Sequence, residues 1–215
     1  MIPADLNKHF ISFEGIDFSG KSTQIELLKS FLEQKGSRVY VLREPGGTEI
    51  SERIRKVLLD KKHENMHSRT ELLLYSAARI QLTSERIIPT LKRDAYVIAD
   101  RFVDSTTAYQ GYGRGLEPDM IAYVNQIATL GLLPAVTFYL EIEPECAFKR
   151  SDRMKRQKDR LESAGLDFFE RVVHGYREIA RAYPQRFFTL DATLDRDEIH
   201  KRIIDILVRK KILSA

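Results

Sequence analysis

Residues 10–23 read FISFEGIDFSGKST, and this stretch decides the fold. The apolar run that ends at Phe13 predicts a short strand, and the apolar spacing that follows predicts a helix from Ser22 to about Gln34. Between them lies the pattern Gly-x-x-x-x-Gly-Lys-Ser, which is typical of a phosphate-binding P-loop in this strand–loop–helix context.

Each residue type in the loop has a physical role. Glycines let successive backbone N–H groups turn inward around a polyphosphate, and the following helix N-terminus adds partial positive charge. Lys21 is expected to reach the β- and γ-phosphates, and the Ser22 hydroxyl to ligate Mg²⁺. The chain is therefore predicted to bind a nucleoside triphosphate. The residues expected at this site are Gly15, Ile16, Asp17, Phe18, Ser19, Gly20, Lys21, Ser22 and Thr23.

The rest of the chain alternates strands and helices. Further strands are predicted at 38–43, 95–99, 135–140 and 187–190. Helices are predicted at 49–59, 68–91 (kinked or broken near Pro89), 118 to about 130, 144–154, 167–183, and from an N-cap at Asp195 to about 210; glycines crowd 111–115. Strands separated by helices imply a parallel sheet covered on both faces, with ligands at the carboxyl ends of its strands. We expect a single three-layer α/β/α domain over 1–215 with five parallel strands.

Composition and charge exclude several partners. No apolar run approaches the ~18 residues of a membrane span, and the first residues do not resemble a signal peptide, so a cytoplasmic protein without membrane contact is expected. Cys146 is the only cysteine and is expected to be a small core residue. The net charge is +4, but residues 149–160 carry +5. One focused cluster is not the spread basic surface of a nucleic-acid binder.

Two other functional classes fit poorly. Residues 63–67 match the zinc-protease pattern His-Glu-x-x-His, but their polar flanks favour a solvated connection between two helices. The chain lacks the Asn-Lys-x-Asp pattern of GTPases, and its third strand ends in Asp100-Arg101 where motor ATPases have Asp-Glu. An arginine at that strand end can grip a second phosphate, which favours transfer between two phosphorylated molecules.

Further motifs follow the P-loop in a specific order. They are REPGGT at 43–48, LLYSAAR at 73–79, DRFVDST at 100–106, YQG at 109–111, DRLE at 159–162 and DAT at 191–193. Together they resemble the thymidylate kinases, which phosphorylate dTMP to dTDP with ATP, and the resemblance covers nearly the whole chain.

The resemblance implies an acceptor site for dTMP. Tyr75 would stack on thymine, Arg79 would donate to a thymine carbonyl, and Tyr109 would lie near the sugar C2′. Arg101 and Arg55 would hold the dTMP phosphate, with Arg101 facing the acceptor rather than the P-loop. The full set implied is Asp17, Glu44, Arg55, Tyr75, Arg79, Arg101, Ser105, Thr106, Tyr109, Gln110, Asp159 and Glu162. It also implies a cis peptide between Glu44 and Pro45, and contact of Asp100 with Mg²⁺ through water.

A lid over about 150–162 is implied as well. Family members carry either an arginine directly after the residue matching Asp17, or a glycine there together with lid arginines. Phe18 departs from both, and because an aromatic ring cannot neutralise phosphate charge, the lid is expected to supply the cations. Arg150 would stack on adenine. The catalytic set is then Asp17, Lys21, Arg101, Arg153 and Arg156.

The resemblance further implies ATP as donor, Mg²⁺ as cofactor, a homodimer, and a role in supplying dTTP for DNA. Two alternatives stay open: a P-loop kinase for another nucleotide, and a non-catalytic nucleotide-binding regulator. Intact Lys21, Ser22 and Asp17 disfavour the regulator.

Overall fold

The computed structural model describes residues 6–153, 159–161 and 163–213, apart from the side chains of 152 and 153. Within these ranges, five parallel strands form one sheet in the order β2-β3-β1-β4-β5. The strands are β1 (Phe10–Glu14), β2 (Val39–Arg43), β3 (Tyr96–Asp100), β4 (Val136–Glu141) and β5 (Phe187–Asp191). The predicted five-stranded parallel sheet is confirmed, with strand boundaries shifted by one residue.

Helices connect the strands and cover the sheet. They are α1 (Lys21–Gln34), α2 (Glu49–Leu59), α3 (Ser68–Leu82), α4 (Ile88–Leu91), α5 (Val103–Thr106), α6 (Pro118–Thr129), α7 (Pro144–Arg153), α8 (Leu166–Ala182) and α9 (Arg196–Arg209). A π-helical turn, Thr83–Ile87, joins α3 to α4, and a second, Thr107–Gly113, extends α5. Across the described ranges, none of the helices has the length and apolar character needed to cross a membrane.

The irregular turn between α3 and α4 confirms the break predicted near Pro89. Proline has no backbone N–H, so the regular helical ladder cannot continue through it. The helical segment 103–113, in contrast, was not predicted. Gly113 at its end serves close packing, because a Cβ there would lie 2.7 Å from the Phe168 ring.

The core lies on both faces of the sheet. Along β1 every residue is buried. Ile11 and Phe13 point into the larger apolar cluster, while Phe10 points into a smaller one on the opposite face. Ser12 shares a 2.8 Å hydrogen bond with the Thr137 hydroxyl of β4, which satisfies its buried oxygen. Burial on both faces is what a central parallel strand requires.

Two surface expectations have different outcomes. Cys146 is exposed, so its assignment to the core is wrong. The buried stripe of α7 runs instead through Pro144, Ala147 and Ser151, which recur at helical spacing. Residues 63–67 begin at the end of a short 3₁₀ turn, Lys61–His63, and connect α2 to α3 mainly through exposed positions, as predicted.

Candidate active site

The glycine-rich loop after β1 wraps around its own lysine. Lys21 opens α1, and its buried Nζ donates to the carbonyl oxygens of Gly15 at 3.0 Å and Ile16 at 3.1 Å. Gly15 has φ +133°, and a Cβ on it would lie 2.6 Å from the Leu140 carbonyl oxygen. Only glycine lets the loop pass this close to β4. Ser22 and Thr23 lie next in the chain and are exposed.

Phe18 adopts a conformation that side chains disfavour. Its φ is +64°, in the left-handed region that costs a non-glycine residue about 1–2 kcal/mol. Arg150 of α7 donates to the Phe18 carbonyl oxygen at 3.1 Å and to the Ala192 carbonyl oxygen at 2.9 Å. Arg150 therefore ties the P-loop to the turn after β5, and its stacking on adenine stays a prediction.

A cavity of about 660 Å³ opens at the carboxyl ends of β1, β2 and β3. The predicted site residues that line it are Asp17, Phe18, Gly20, Lys21, Ser22, Thr23, Glu44, Arg55, Tyr75, Arg79, Asp100, Arg101, Ser105, Thr106, Tyr109, Gln110, Arg150 and Asp159. Three more, Gly15, Ile16 and Ser19, are buried and lie outside its lining. The side chain of Arg153, and all of Arg156 and Glu162, lie outside the described residues.

A buried ion pair forms one wall of the cavity. Arg79 is 2% exposed, and its Nε and Nη2 donate to Glu44 Oε2 at 2.8 and 2.5 Å. The same guanidinium donates to the Thr106 hydroxyl at 2.6 Å and to the Phe102 carbonyl oxygen at 3.0 Å. Burial raises the pKa of the Glu44 carboxyl, and the charge of Arg79 opposes that shift. The predicted contact of Arg79 with thymine stays a prediction.

Helix α2 adds a second arginine, Arg55, which contacts the loop after β2. The Glu44–Pro45 peptide is cis, as the resemblance implied. Arg55 Nη1 donates to the Pro45 carbonyl oxygen at 2.9 Å, so this side chain contacts the loop backbone at the edge of the cavity.

Arg101 joins the P-loop to Tyr109, which lines the same cavity. Directly after β3, with φ +72°, it donates to Asp17 Oδ1 at 2.9 Å and to the Gly15 carbonyl oxygen at 2.7 Å. Its guanidinium carbon lies 5.1 Å from the centroid of the Tyr109 ring. The expectation that Arg101 faces away from the P-loop is therefore wrong. Because β1 and β3 are neighbours, their loops emerge side by side, and one side chain contacts both.

Glu14, at the end of β1, organises a buried network that sequence reasoning missed. Its Oε1 accepts from the Phe102 N–H at 2.8 Å, and its Oε2 accepts from Ser105 Oγ at 2.6 Å and from the Tyr176 hydroxyl at 2.8 Å. Burial, reinforced by the nearby charge of Asp104, raises the pKa of Glu14 to about 7. A carboxylate that ends a mainly apolar strand was the available signal.

Glu71 is a second buried carboxylate that sequence reasoning missed. It lies on α3 four residues before Tyr75 and eight before Arg79, hence on the same helical face. It accepts hydrogen bonds from Gln110 and Arg114, and it pairs with Arg160. That spacing was the signal in the sequence.

The sheet order, the glycine loop around Lys21 and the charged cavity at the strand ends define a nucleotide-binding protein of the P-loop class. The thymidylate kinase family model matches residues 13–203. A thymidylate kinase from Chlorobaculum parvum is 48% identical over 205 residues, covering 92% of this chain and 94% of the relative. One from Thermoanaerobacter sp. is 47% identical over 198 residues, covering 92% and 96%.

Structural comparison agrees. The crystal structure of thymidylate kinase from Ehrlichia chaffeensis superposes with a TM-score of 0.75 at 34% identity, covering 92% of this chain and 97% of that one. This chain belongs to the thymidylate kinase family.

The close approach at Gly15 gives the first test. Gly15→Ala should lower the free energy of unfolding by more than ~2 kcal/mol and abolish measurable ATP affinity, because backbone strain adds to the contact with Leu140. Gly36→Ala is the matched control: φ is +80°, nothing lies within 4 Å of the new Cβ, and a cost of about 1 kcal/mol is expected. Urea unfolding and calorimetric ATP titration measure both. Equal ATP affinity in the two variants would refute the assignment of Gly15 to the phosphate-binding loop.

Burial of Glu14 gives a pH test. Its pKa rises from 4.5 to about 7 on folding, so the unfolded chain releases this proton first, and stability falls as pH rises between those values. The loss approaches ~3 kcal/mol at the upper end. Glu14→Gln should remove that slope in urea unfolding measured across this pH range, whereas Glu26→Gln, on an exposed position of α1, should keep it. Parallel curves of stability against pH for the parent and Glu14→Gln would contradict a raised pKa of Glu14.

Proposed function

We propose that this protein transfers the γ-phosphoryl group of ATP to dTMP and forms dTDP. One observation carries the proposal: the P-loop and the acceptor motifs, far apart in sequence, line a single cavity. Phosphoryl transfer needs the two substrates held in line with their charge neutralised, and it needs little covalent chemistry from the protein. A shared cavity with cations at the junction of its two halves suits that requirement.

The donor half is proposed to bind the ATP phosphates. Lys21 donates to loop carbonyl oxygens in this structure, and in the proposal its ammonium moves to the β- and γ-phosphates when they enter. Backbone N–H groups from Phe18 to Thr23 would surround the polyphosphate at the start of α1. Arg150, which donates to the Phe18 carbonyl oxygen and lines the cavity, would contact the adenine ring.

The acceptor half is proposed to bind dTMP between α3 and α5. Tyr75 lines the cavity and would stack on thymine, with Arg79 and Gln110 on the base edge. Arg101 and Arg55 would pair with the phosphate. The remaining proposed contacts are Asp17 to the 3′-hydroxyl, Tyr109 near C2′, and Glu44, Ser105, Thr106, Asp159 and Glu162 around them.

Mg²⁺ is proposed to bind between the halves. Ser22 and Asp100 both line the cavity near Lys21 and offer oxygen ligands, which this hard cation prefers. Among the described residues, no cluster of three or more metal-binding side chains exists. That fits an ion held largely by substrate phosphates and water. When bound, it would neutralise charge on the phosphates.

The remaining cations are proposed to come from the lid. Phe18 brings no positive charge to the phosphates, so Arg153 and Arg156 are the catalytic arginines in this proposal, together with Asp17, Lys21 and Arg101. We further propose one catalytic domain over 1–215, a cytoplasmic location and a homodimer. Exposed apolar side chains on α3 and α6, among them Leu73, Tyr123 and Ile127, support a protein–protein contact.

The proposal is tested by ADP release with ATP, Mg²⁺ and a panel of acceptors: dTMP, dUMP, dGMP, AMP and UMP. We expect dTMP to give the highest kcat/KM, with dUMP roughly 10- to 200-fold lower, because it lacks one methyl group. A preference for AMP or UMP would indicate a kinase for another nucleotide. ATP binding without turnover of any acceptor would indicate a regulator.

The stacking role is tested in the same assay. Tyr75→Ala should raise the KM for dTMP by about 10- to 100-fold, since stacking on a base contributes ~1–3 kcal/mol. The KM for ATP should change little. Tyr183→Ala, at an exposed tyrosine, is the matched control and should alter neither. An equal rise in both KM values for Tyr75→Ala would place this ring outside the acceptor site.

A further inference from the structure

Glu71 is the buried carboxylate on which two separate segments converge, one with Gln110 and Arg114 and the other with Arg160. It is 0% exposed, in the first turn of α3. Its Oε1 accepts from Gln110 Nε2 at 2.9 Å and Arg114 Nε at 3.1 Å, and its Oε2 from Arg114 Nη2 at 3.0 Å. Arg160 Nη2 lies 2.6 Å from Oε2 and forms an ion pair with it.

The charge state of Glu71 follows from these partners. Burial favours the neutral acid, but the hydrogen bonds and charge of Arg114, with help from Gln110 and Arg160, hold the pKa of this carboxyl below its usual range. An ionised carboxylate has acceptors and no donor. Every polar group that hydrogen-bonds to it must therefore act as a donor.

That requirement fixes the orientation of the Gln110 amide. Its NH₂ group must face Glu71, which sets how the carbonyl end of the same planar amide is turned. Gln110 lines the cavity. An uncharged partner with both donor and acceptor groups would let the amide stand either way round.

The ion pair with Arg160 fixes a second cavity segment. The Arg160 side chain is 4% exposed and also donates from Nε to the Leu58 carbonyl oxygen at 2.7 Å. Its neighbours, Asp159 and Leu161, both line the cavity. Holding Arg160 therefore holds residues 159–161 against the acceptor side.

Ion pairs buried this deeply contribute little net stability compared with apolar residues of the same shape. We propose that Glu71 is a positioning residue for the acceptor site, which orients the Gln110 amide and anchors residues 159–161 through Arg160. This inference rests on the proposed function, in which the same cavity binds dTMP.

The variants Glu71→Gln and Arg160→Gln test it, singly and together, by steady-state kinetics. Each single change should raise the KM for dTMP about tenfold or more, because charge-assisted hydrogen bonds are lost or misdirected, while the KM for ATP stays within about twofold. The double variant should be no worse than the poorer single variant, since both act through one pair. Glu85→Gln, on the exposed turn between α3 and α4, is the matched control and should leave both constants unchanged.

Base selection separates the two branches of Glu71. The N3 position of thymine donates a hydrogen, whereas that of cytosine accepts one. Glu71→Gln frees the Gln110 amide to rotate, so preference for dTMP over dCMP should fall at least fivefold by kcat/KM. Arg160→Gln should keep that preference. If Glu71 had a purely structural role, Glu71→Gln would lower kcat/KM for dTMP and for dCMP by the same factor, and the preference for dTMP would not change.

Hydrogen exchange of residues 159–161 gives a readout independent of turnover. Both variants should exchange these amides faster than the parent, with exchange in β1 unchanged. If Glu71→Gln does not fold, Arg160→Gln alone tests whether the ion pair anchors residues 159–161, because Glu71 then still accepts hydrogen bonds from Gln110 and Arg114. Unchanged exchange, or equal rises in both KM values, would overturn the proposal. A parent protein that does not phosphorylate dTMP would refute the proposed function instead. The exchange data would still show whether the Glu71–Arg160 pair anchors residues 159–161.

Discussion

The contact of Arg101 with two loops is the interaction on which the rest of the site depends. Gly15 follows β1 and Arg101 follows β3, its neighbour in the sheet, so the two loops emerge side by side. Arg101 holds them together by donating to the Gly15 carbonyl oxygen and to Asp17. It does so with φ +72° and a largely buried charge, and both features are costly. These contacts offset that cost.

Buried carboxylates each fix one part of the cavity. Glu44 orients Arg79, Glu14 holds Ser105 and Tyr176, and Glu71 holds the segment around Arg160. The ion pairs of Glu44 and Glu71 contribute more to geometry than to net stability, because desolvation cancels most of their attraction. The apolar clusters on both faces of the sheet supply the stability, and the charged groups at the strand ends determine the shape of the site.

Local pattern was sufficient for much of this fold. Strand β1 and the start of α1 follow from apolar spacing and the glycine loop, and α2 was predicted with the bounds it has. The helical segment 103–113 was not predicted, and the packing of its Gly113 against the Phe168 ring is a tertiary contact that no local pattern encodes. The exposure of Cys146 depends on which face of α7 meets the core. The two-sided contact of Arg101 depends on strand order, which no local pattern encodes.

The central claim, that Arg101 belongs to both halves of the cavity, is tested most directly by calorimetric titration of Arg101→Ala with ATP and with dTMP. The account predicts that both affinities fall at least tenfold, since a charge-assisted hydrogen bond is lost on each side. Arg55→Ala, which loses the hydrogen bond to the Pro45 carbonyl oxygen in the loop after β2, should weaken dTMP binding and leave ATP binding unchanged. An Arg101→Ala variant that binds ATP as tightly as the parent would contradict the account.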